Sequence, residues 1–159
     1  MISGRQALAL VVSIVLCLGA AGIGSLLTVP SLGPWYASLR KPSWTPPNWL
    51  FGPVWTVLYL LMAVAAWLIW RQSESHSVRL PLTLFAIQLV LNVAWSAIFF
   101  HYHRVGLAFV EVIILWIFIF STTVAFRDVS RAASWLMVPY LAWVTYASTL
   151  NAGIWRLNE

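Results

Sequence analysis

The sequence predicts an all-α membrane protein, a bundle of five transmembrane helices with a long Pro/Trp-rich loop between the first two. Three observations lead there. The 159-residue chain is 62% hydrophobic and only 8% charged, with a mean hydropathy of +0.87, whereas a soluble domain is about 25% charged. Five segments reach the roughly 20 mostly apolar residues that a spanning helix needs. The charged clusters fall between those segments, at Arg40-Lys41, Arg71 to Arg79, His101 to Arg104 and Arg127 to Arg131. The length suits one domain over residues 1–159. So small a chain buries a limited share of its surface and could not hide this much apolar area from water.

In order, the spans are 6–29, 48–70, 81–101, 105–126 and 132–155. The first begins after Arg5, as a signal peptide does, but its apolar stretch continues to Val29 and is too long for a signal core. It reads as a retained helix. Cys17, the single cysteine, excludes an intrachain disulfide and reads as a small packing residue. The last two connections are very short, which makes the third, fourth and fifth spans antiparallel neighbours. Trp67, Trp70, Trp135 and Trp155 fall at span ends and read as interfacial belt residues.

The connection from 30 to 47 holds five prolines, with Trp35, Tyr36 and Trp44 among them. Proline stiffens the chain by fixing φ, and indoles favour the headgroup zone. An ordered lid over one end of the bundle is the expectation. Five basic residues (Arg5, Arg71, Arg79, Arg127, Arg131) lie on one side and four (Arg40, Lys41, Arg104, Arg156) on the other. That bias is too small for the positive-inside rule to orient the chain. Scattered singly, these cations form no patch for nucleic acid despite a net charge of +5.

Polar groups at membrane depth are costly and mark buried packing or a site. The third span carries Gln88, Asn92, Trp95 and Phe99 at spacings of four, three and four, on one face. The fifth carries Tyr140, Trp143, Ala147 and Asn151 in the same rhythm, and the second offers Trp55 and Tyr59. At about 1.5 Å per residue, Trp55, Trp95 and Glu111 lie roughly 10 Å in from the side that bears the long loop. Trp143 lies near the midplane. The intramembrane polar and aromatic groups thus gather beneath that loop, which points to a capped pocket between helices. Spacing alone serves packing and ligand contact equally well for Trp55, Trp95 and Trp143. Interhelical hydrogen bonding accounts for Gln88, Asn92 and Asn151 without a ligand. Glu111 is either a functional acid or a neutral, hydrogen-bonded one. Pro139 predicts a kink in the fifth span. The histidines make no metal-ligand spacing, and no phosphate loop, nucleophile elbow or Ser/His/Asp set occurs.

The residues of the loop and second span, Trp35-Tyr36, Lys41-Pro42-Ser43-Trp44-Thr45-Pro46-Pro47 and Pro53-Val54-Trp55-Thr56, resemble those of the tryptophan-rich sensory protein and translocator protein family, also called the peripheral benzodiazepine receptor family. Two further segments resemble it as well. One runs from Gln88-Leu89 through Asn92 and Trp95-Ser96 to Phe99-Phe100, the other from Pro139-Tyr140 through Trp143-Val144 and Ala147 to Leu150-Asn151. The resemblance covers nearly the whole chain. It implies five helices, a homodimer in a bacterial cell membrane, and binding of tetrapyrroles such as protoporphyrin IX or haem. Benzodiazepine- and isoquinoline-type ligands are implied too, and no required cofactor. The implied ligand contacts are Tyr36, Trp55, Gln88, Asn92, Trp95, Trp143, Ala147 and Leu150. Some members bind cholesterol, but the tyrosine expected just after Leu150-Asn151 is replaced here by Ala152. Sterol binding through that motif is therefore not expected.

Three functions compete. The first is a tetrapyrrole-binding sensor or regulator. The second is an enzyme degrading porphyrin with light and oxygen, in which Trp55 and Trp143 are the catalytic residues. The third, a tetrapyrrole or sterol transporter, ranks last, because no repeats or paired broken helices are evident.

Overall fold

The computed structural model describes residues 3–159, and every regular element in that range is helical. Five long helices occur: α1 (Gly4–Leu32), α3 (Asn48–Trp70), α4 (Arg79–Ser96, prolonged by one π turn, Ala97–His101), α5 (Val105–Val129) and α6 (Arg131–Asn158). A single-turn helix, α2 (Trp35–Ser38), lies between α1 and α3. Four of the long helices, α1, α3, α4 with its π turn, and α5, are long and apolar enough to cross a membrane. The protein is a multi-pass integral membrane protein. The fifth, α6, has the length but a lower apolar content, because it carries Tyr140, Ser148 and Asn151 on its buried side and arginines at both ends.

Local chemistry sets the helix limits. Ser3 caps α1 by accepting from the Gln6 amide at 3.3 Å. Ser130 serves two helices. Its extended backbone (φ −152°, ψ 111°) ends α5, with its N–H donating to the Phe126 carbonyl at 2.7 Å, while its Oγ accepts from the Ala133 amide and starts α6. Between α4 and α5, His103 adopts φ 55°, in the left-handed region where histidine is among the better-tolerated side chains. Two limits differ from expectation. α1 continues through Pro30 to Leu32, because a proline near the last turn forfeits one hydrogen bond without ending the helix. α6 ends at Asn158, three residues beyond the expected 155, with Pro139 inside it.

The long helices close a ring in the order α1, α3, α6, α5, α4 and back to α1. α1 and α3 are neighbours, and both carry small buried residues that permit close approach, Cys17 and Ala20 on one helix and Ala63, Ala65 and Ala66 on the other. Trp67 Nε1 donates to the Gln6 carbonyl at 2.9 Å, and the Arg5 guanidinium lies over the Trp70 ring at 5.6 Å. Trp67 thus packs against α1 instead of pointing outward. It is 8% exposed and turned inward, whereas Trp135, at 72%, faces out.

Residues 33–47 are fastened on two sides. Trp35 stacks on His103 with ring centroids 4.1 Å apart, and Ser31 Oγ donates to the Phe100 carbonyl at 2.6 Å. Along α6, Asn158 accepts from the Arg40 amide at 3.0 Å and donates to the Arg40 carbonyl at 2.9 Å. Tyr146 Oη donates to the Trp44 carbonyl at 2.6 Å. Between these ties, Pro42 packs on Gly153, where an added Cβ would overlap the proline ring. A ring built into the backbone cannot swing aside. Gly153→Ala is expected to cost about 1–3 kcal/mol and to loosen the segment. Thermal unfolding and protease cutting between residues 40 and 47 measure both effects.

Candidate functional site

Beneath residues 33–47 the bundle encloses a cavity of about 620 Å³, within the range of small-molecule sites. Its floor is a buried chain of hydrogen bonds across three helices. Tyr59 Oη (α3) donates to Asn92 Oδ1 (α4) at 2.5 Å, and Asn92 Nδ2 donates to Tyr140 Oη (α6) at 2.8 Å. Tyr140 is fully buried, and Trp55 packs against both tyrosine rings. The back wall is Trp95, stacked on Phe99 at 5.1 Å. Its Nε1 donates to Asn151 Oδ1 at 3.0 Å, and Asn151 Nδ2 donates to the Val105 carbonyl at 2.9 Å, so α4, α6 and the start of α5 are pinned together. On the α6 side stands Trp143, edge-on to Phe51 at 5.9 Å.

Tyr36 roofs the space from α2, wedged against Phe99 and Phe100. The Lys41 ammonium lies 4.6 Å over its ring and donates to the Leu39 carbonyl at 3.1 Å. Burial, and secondarily the nearby Tyr146, push the Tyr36 phenol above its ordinary range. It stays neutral at physiological pH and can both donate and accept at the cavity roof.

Of the residues singled out from the sequence, Tyr36, Trp55, Asn92, Trp95, Trp143, Ala147 and Leu150 line this one cavity. Gln88 does not. It lies one turn below Asn92, fully buried, with Nε2 3.9 Å from Met62 Sδ and Oε1 without a partner among the described residues. Spacing placed it on the right face but not at the right depth. Replacing it removes an unsatisfied polar atom and touches no cavity wall. Gln88→Leu is therefore expected to leave ligand affinity within about twofold and stability unchanged or higher, as titration and thermal unfolding can show. Glu111 also stands apart from the cavity. It is 7% exposed, and neither carboxyl oxygen has a partner among the described residues.

Sequence reasoning missed the α1 wall. Ala21, Gly22, Ser25 and Thr28 line the cavity, while Gly24 lies against Ser96 of α4. Small residues carry no signal of a site, and the spacing of Ala20 with Gly24 and of Ala21 with Ser25 reads as close helix approach, across a dimer or within the monomer. A second depression, of about 480 Å³ at the α4–α5 turn beside Trp155, shares none of these residues.

The model of the TspO/MBR family matches residues 12–156. The chain belongs to the TspO/MBR family. A tryptophan-rich protein TspO of Chlorobaculum tepidum is 45% identical over 158 residues, covering 97% of this chain and 98% of the relative. Protein CrtK of Rhodobacter capsulatus is 41% identical, covering 89% and 86%. The human translocator protein is 43% identical over 127 residues, covering 79% and 75%. The family match thus spans α3 to α5 whole and most of α1 and α6, and takes in every element that builds the cavity of this TspO/MBR protein.

Proposed function

We propose that this protein is a membrane receptor or sensor that binds tetrapyrroles such as protoporphyrin IX and haem in the aromatic cavity. Benzodiazepine- and isoquinoline-type ligands occupy the same space, and the protein thereby regulates tetrapyrrole handling or stress signalling. In this reading α6 is the fifth span, the whole chain is one domain, and the working form is a homodimer that needs no cofactor. The observation that carries the reading is the wall composition. Trp55, Trp95 and Trp143 present broad apolar π surfaces around one space, with few polar groups among them, which suits a flat aromatic macrocycle. Titrating the purified protein with protoporphyrin IX while following tryptophan fluorescence tests it. Saturable quenching relieved by an isoquinoline-type competitor is expected, and linear, non-competed quenching overturns it.

Charged propionates on such a ligand belong at the wet rim, beside Arg40 and Lys41. Exposed pairs contribute about 0.2–1 kcal/mol each. Arg40→Gln with Lys41→Gln is thus expected to weaken protoporphyrin IX about two- to thirtyfold and its dimethyl ester much less. Equal affinities would remove this contact from the reading. The second reading, a light- and oxygen-dependent porphyrin-degrading enzyme, is favoured by one observation: Trp55 and Trp143, on adjacent helices, face the same cavity. Illuminated samples whose Soret band is lost no faster than that of free porphyrin exclude it. Sterol is not assigned as a ligand, since Ala152 stands where the sterol motif has tyrosine.

A further inference from the structure

We infer that the cavity is loaded sideways from the lipid, through a gap between the α2-proximal halves of α1 and α3 kept open by Gly22, Ser25 and Gly52. The inference rests on the cavity being a ligand site and adds the source of its ligand, a solute dissolved among the acyl chains rather than in water.

The first observation is where the cavity wall meets the outside. The lining residues on α4 and α6 are buried or half-buried, from Asn92 to Phe100 and from Trp143 to Ile154. On α1 and α3, by contrast, Gly22, Ser25, Val29, Asn48, Trp49, Gly52 and Thr56 both line the cavity and are exposed, from the start of α3 down its first turns. The opening therefore lies between these two helices.

The second observation is the change in packing along α1 and α3. At the far end the Trp67 indole is tied to the Gln6 carbonyl and Cys17 is fully buried. Nearer α2, by one to two turns from Cys17 and three to four from Trp67, Gly22 and Ser25 on α1 and Gly52 and Thr56 on α3 are exposed and line the cavity, so the tight packing of the pair gives way to an opening. At the mouth, a Cβ on Gly22 or Gly52 would meet no heavy atom within 4 Å. The glycines are not required by packing there, and a larger side chain at either position has open space beside the cavity wall.

The third observation is polarity. Thr28 Oγ1 donates to the Gly24 carbonyl at 2.8 Å, and Thr56 Oγ1 to the Gly52 carbonyl at 2.9 Å. Both hydroxyls are folded back on their own helices, which suits a mouth facing hydrocarbon. The alternative entrance, through the roof, is held shut by the Tyr146–Trp44 and Asn158–Arg40 hydrogen bonds and the Trp35–His103 stack.

The test uses two plugs, Gly22→Leu and Gly52→Leu, each placing a side chain where the gap is empty and leucine is the better helix former. In lipid nanodiscs, stopped-flow quenching by protoporphyrin IX should show association and dissociation both slowed about tenfold or more by either plug. Tyr146→Phe, which loosens the roof, should change neither rate. A second readout needs no porphyrin. With Ala147→Cys on the α6 wall in a Cys17→Ala background, a membrane-dissolved maleimide should react faster than a charged, water-soluble thiosulfonate. Either plug should slow the maleimide. Thiol labelling indifferent to the plugs, or entry accelerated by Tyr146→Phe alone, overturns side loading. If porphyrin does not bind but the plugs still slow labelling, side loading stands and the tetrapyrrole reading falls.

Discussion

Asn92→Ala is expected to destabilise the protein by about 2–4 kcal/mol, from the loss of two buried hydrogen bonds and the stranding of a polar group. Asn92 links Tyr59 on α3 to Tyr140 on α6 in the hydrogen-bond chain of the floor. Interhelical hydrogen bonds in membranes average about 0.6 kcal/mol, because the unfolded chain in lipid also finds partners. Bond loss alone would therefore leave the effect near 1 kcal/mol. Stranding decides the size, and it is unequal. Tyr59 lines the cavity, so water or ligand there can replace its lost acceptor. Tyr140 is fully buried and off the cavity wall, and its hydroxyl is left with neither.

A specific pattern follows. Adding Tyr140→Phe to Asn92→Ala should recover about 1 kcal/mol or more, whereas adding Tyr59→Phe should recover little. Thermal unfolding in one detergent, run as a double-mutant cycle, reads all three values. If the two tyrosine replacements rescue equally, the floor is not the asymmetric chain described above.

Two of these residues, Asn92 and Tyr140, mark how far the sequence could be read. The spacing of Gln88, Asn92 and Trp95, and of Tyr140, Trp143 and Ala147, put each set on one helix face. A face follows from a 3.6-residue period. The partner of that face does not, because it depends on ring order, and the placing of α3 beside α6 comes from long-range packing. Depth is the next quantity to slip. Gln88 shares its face with Asn92, yet one turn carries it below the floor. Trp67 shows the same limit in another form. Its position near a span end suggests the headgroup zone, but the close approach of α1 offers the Gln6 carbonyl and draws the indole inward. α6 is the least apolar of the long helices for a related reason. Tyr140, Ser148 and Asn151 face the bundle rather than lipid, and a hydropathy average counts them without regard to direction. The α1 wall was illegible because a site built from absent side chains leaves no chemical trace in a sequence.

Trp143→Ala should weaken protoporphyrin IX about 10- to 150-fold, the effect of removing about 1.5–3 kcal/mol of aromatic contact. Trp143 stands on the cavity wall, braced edge-on by Phe51 and tilted against Tyr146. Its Nε1 is buried and has no partner among the described residues, so truncation strands no hydrogen-bond partner. The loss should therefore appear in binding more than in stability. Trp143→Phe keeps an apolar face of smaller area, and an intermediate loss of about 3- to 10-fold is expected. Trp116 supplies the control. It stacks on Phe120 and donates to Thr145 Oγ1 at 2.7 Å, away from the cavity. Trp116→Ala should leave affinity within about twofold. Equal losses at Trp116 and Trp143 would mean that quenching reports surface adsorption of a greasy ligand rather than occupation of the cavity. The Phe variant also separates the two proposed activities. If illuminated porphyrin is consumed by the parent protein, and Trp143→Phe still binds but no longer consumes it, the indole takes part in the chemistry. If binding and consumption fall together by the same factor, Trp143 is a wall, and the cavity is a receptor site whose ligand is held and not transformed.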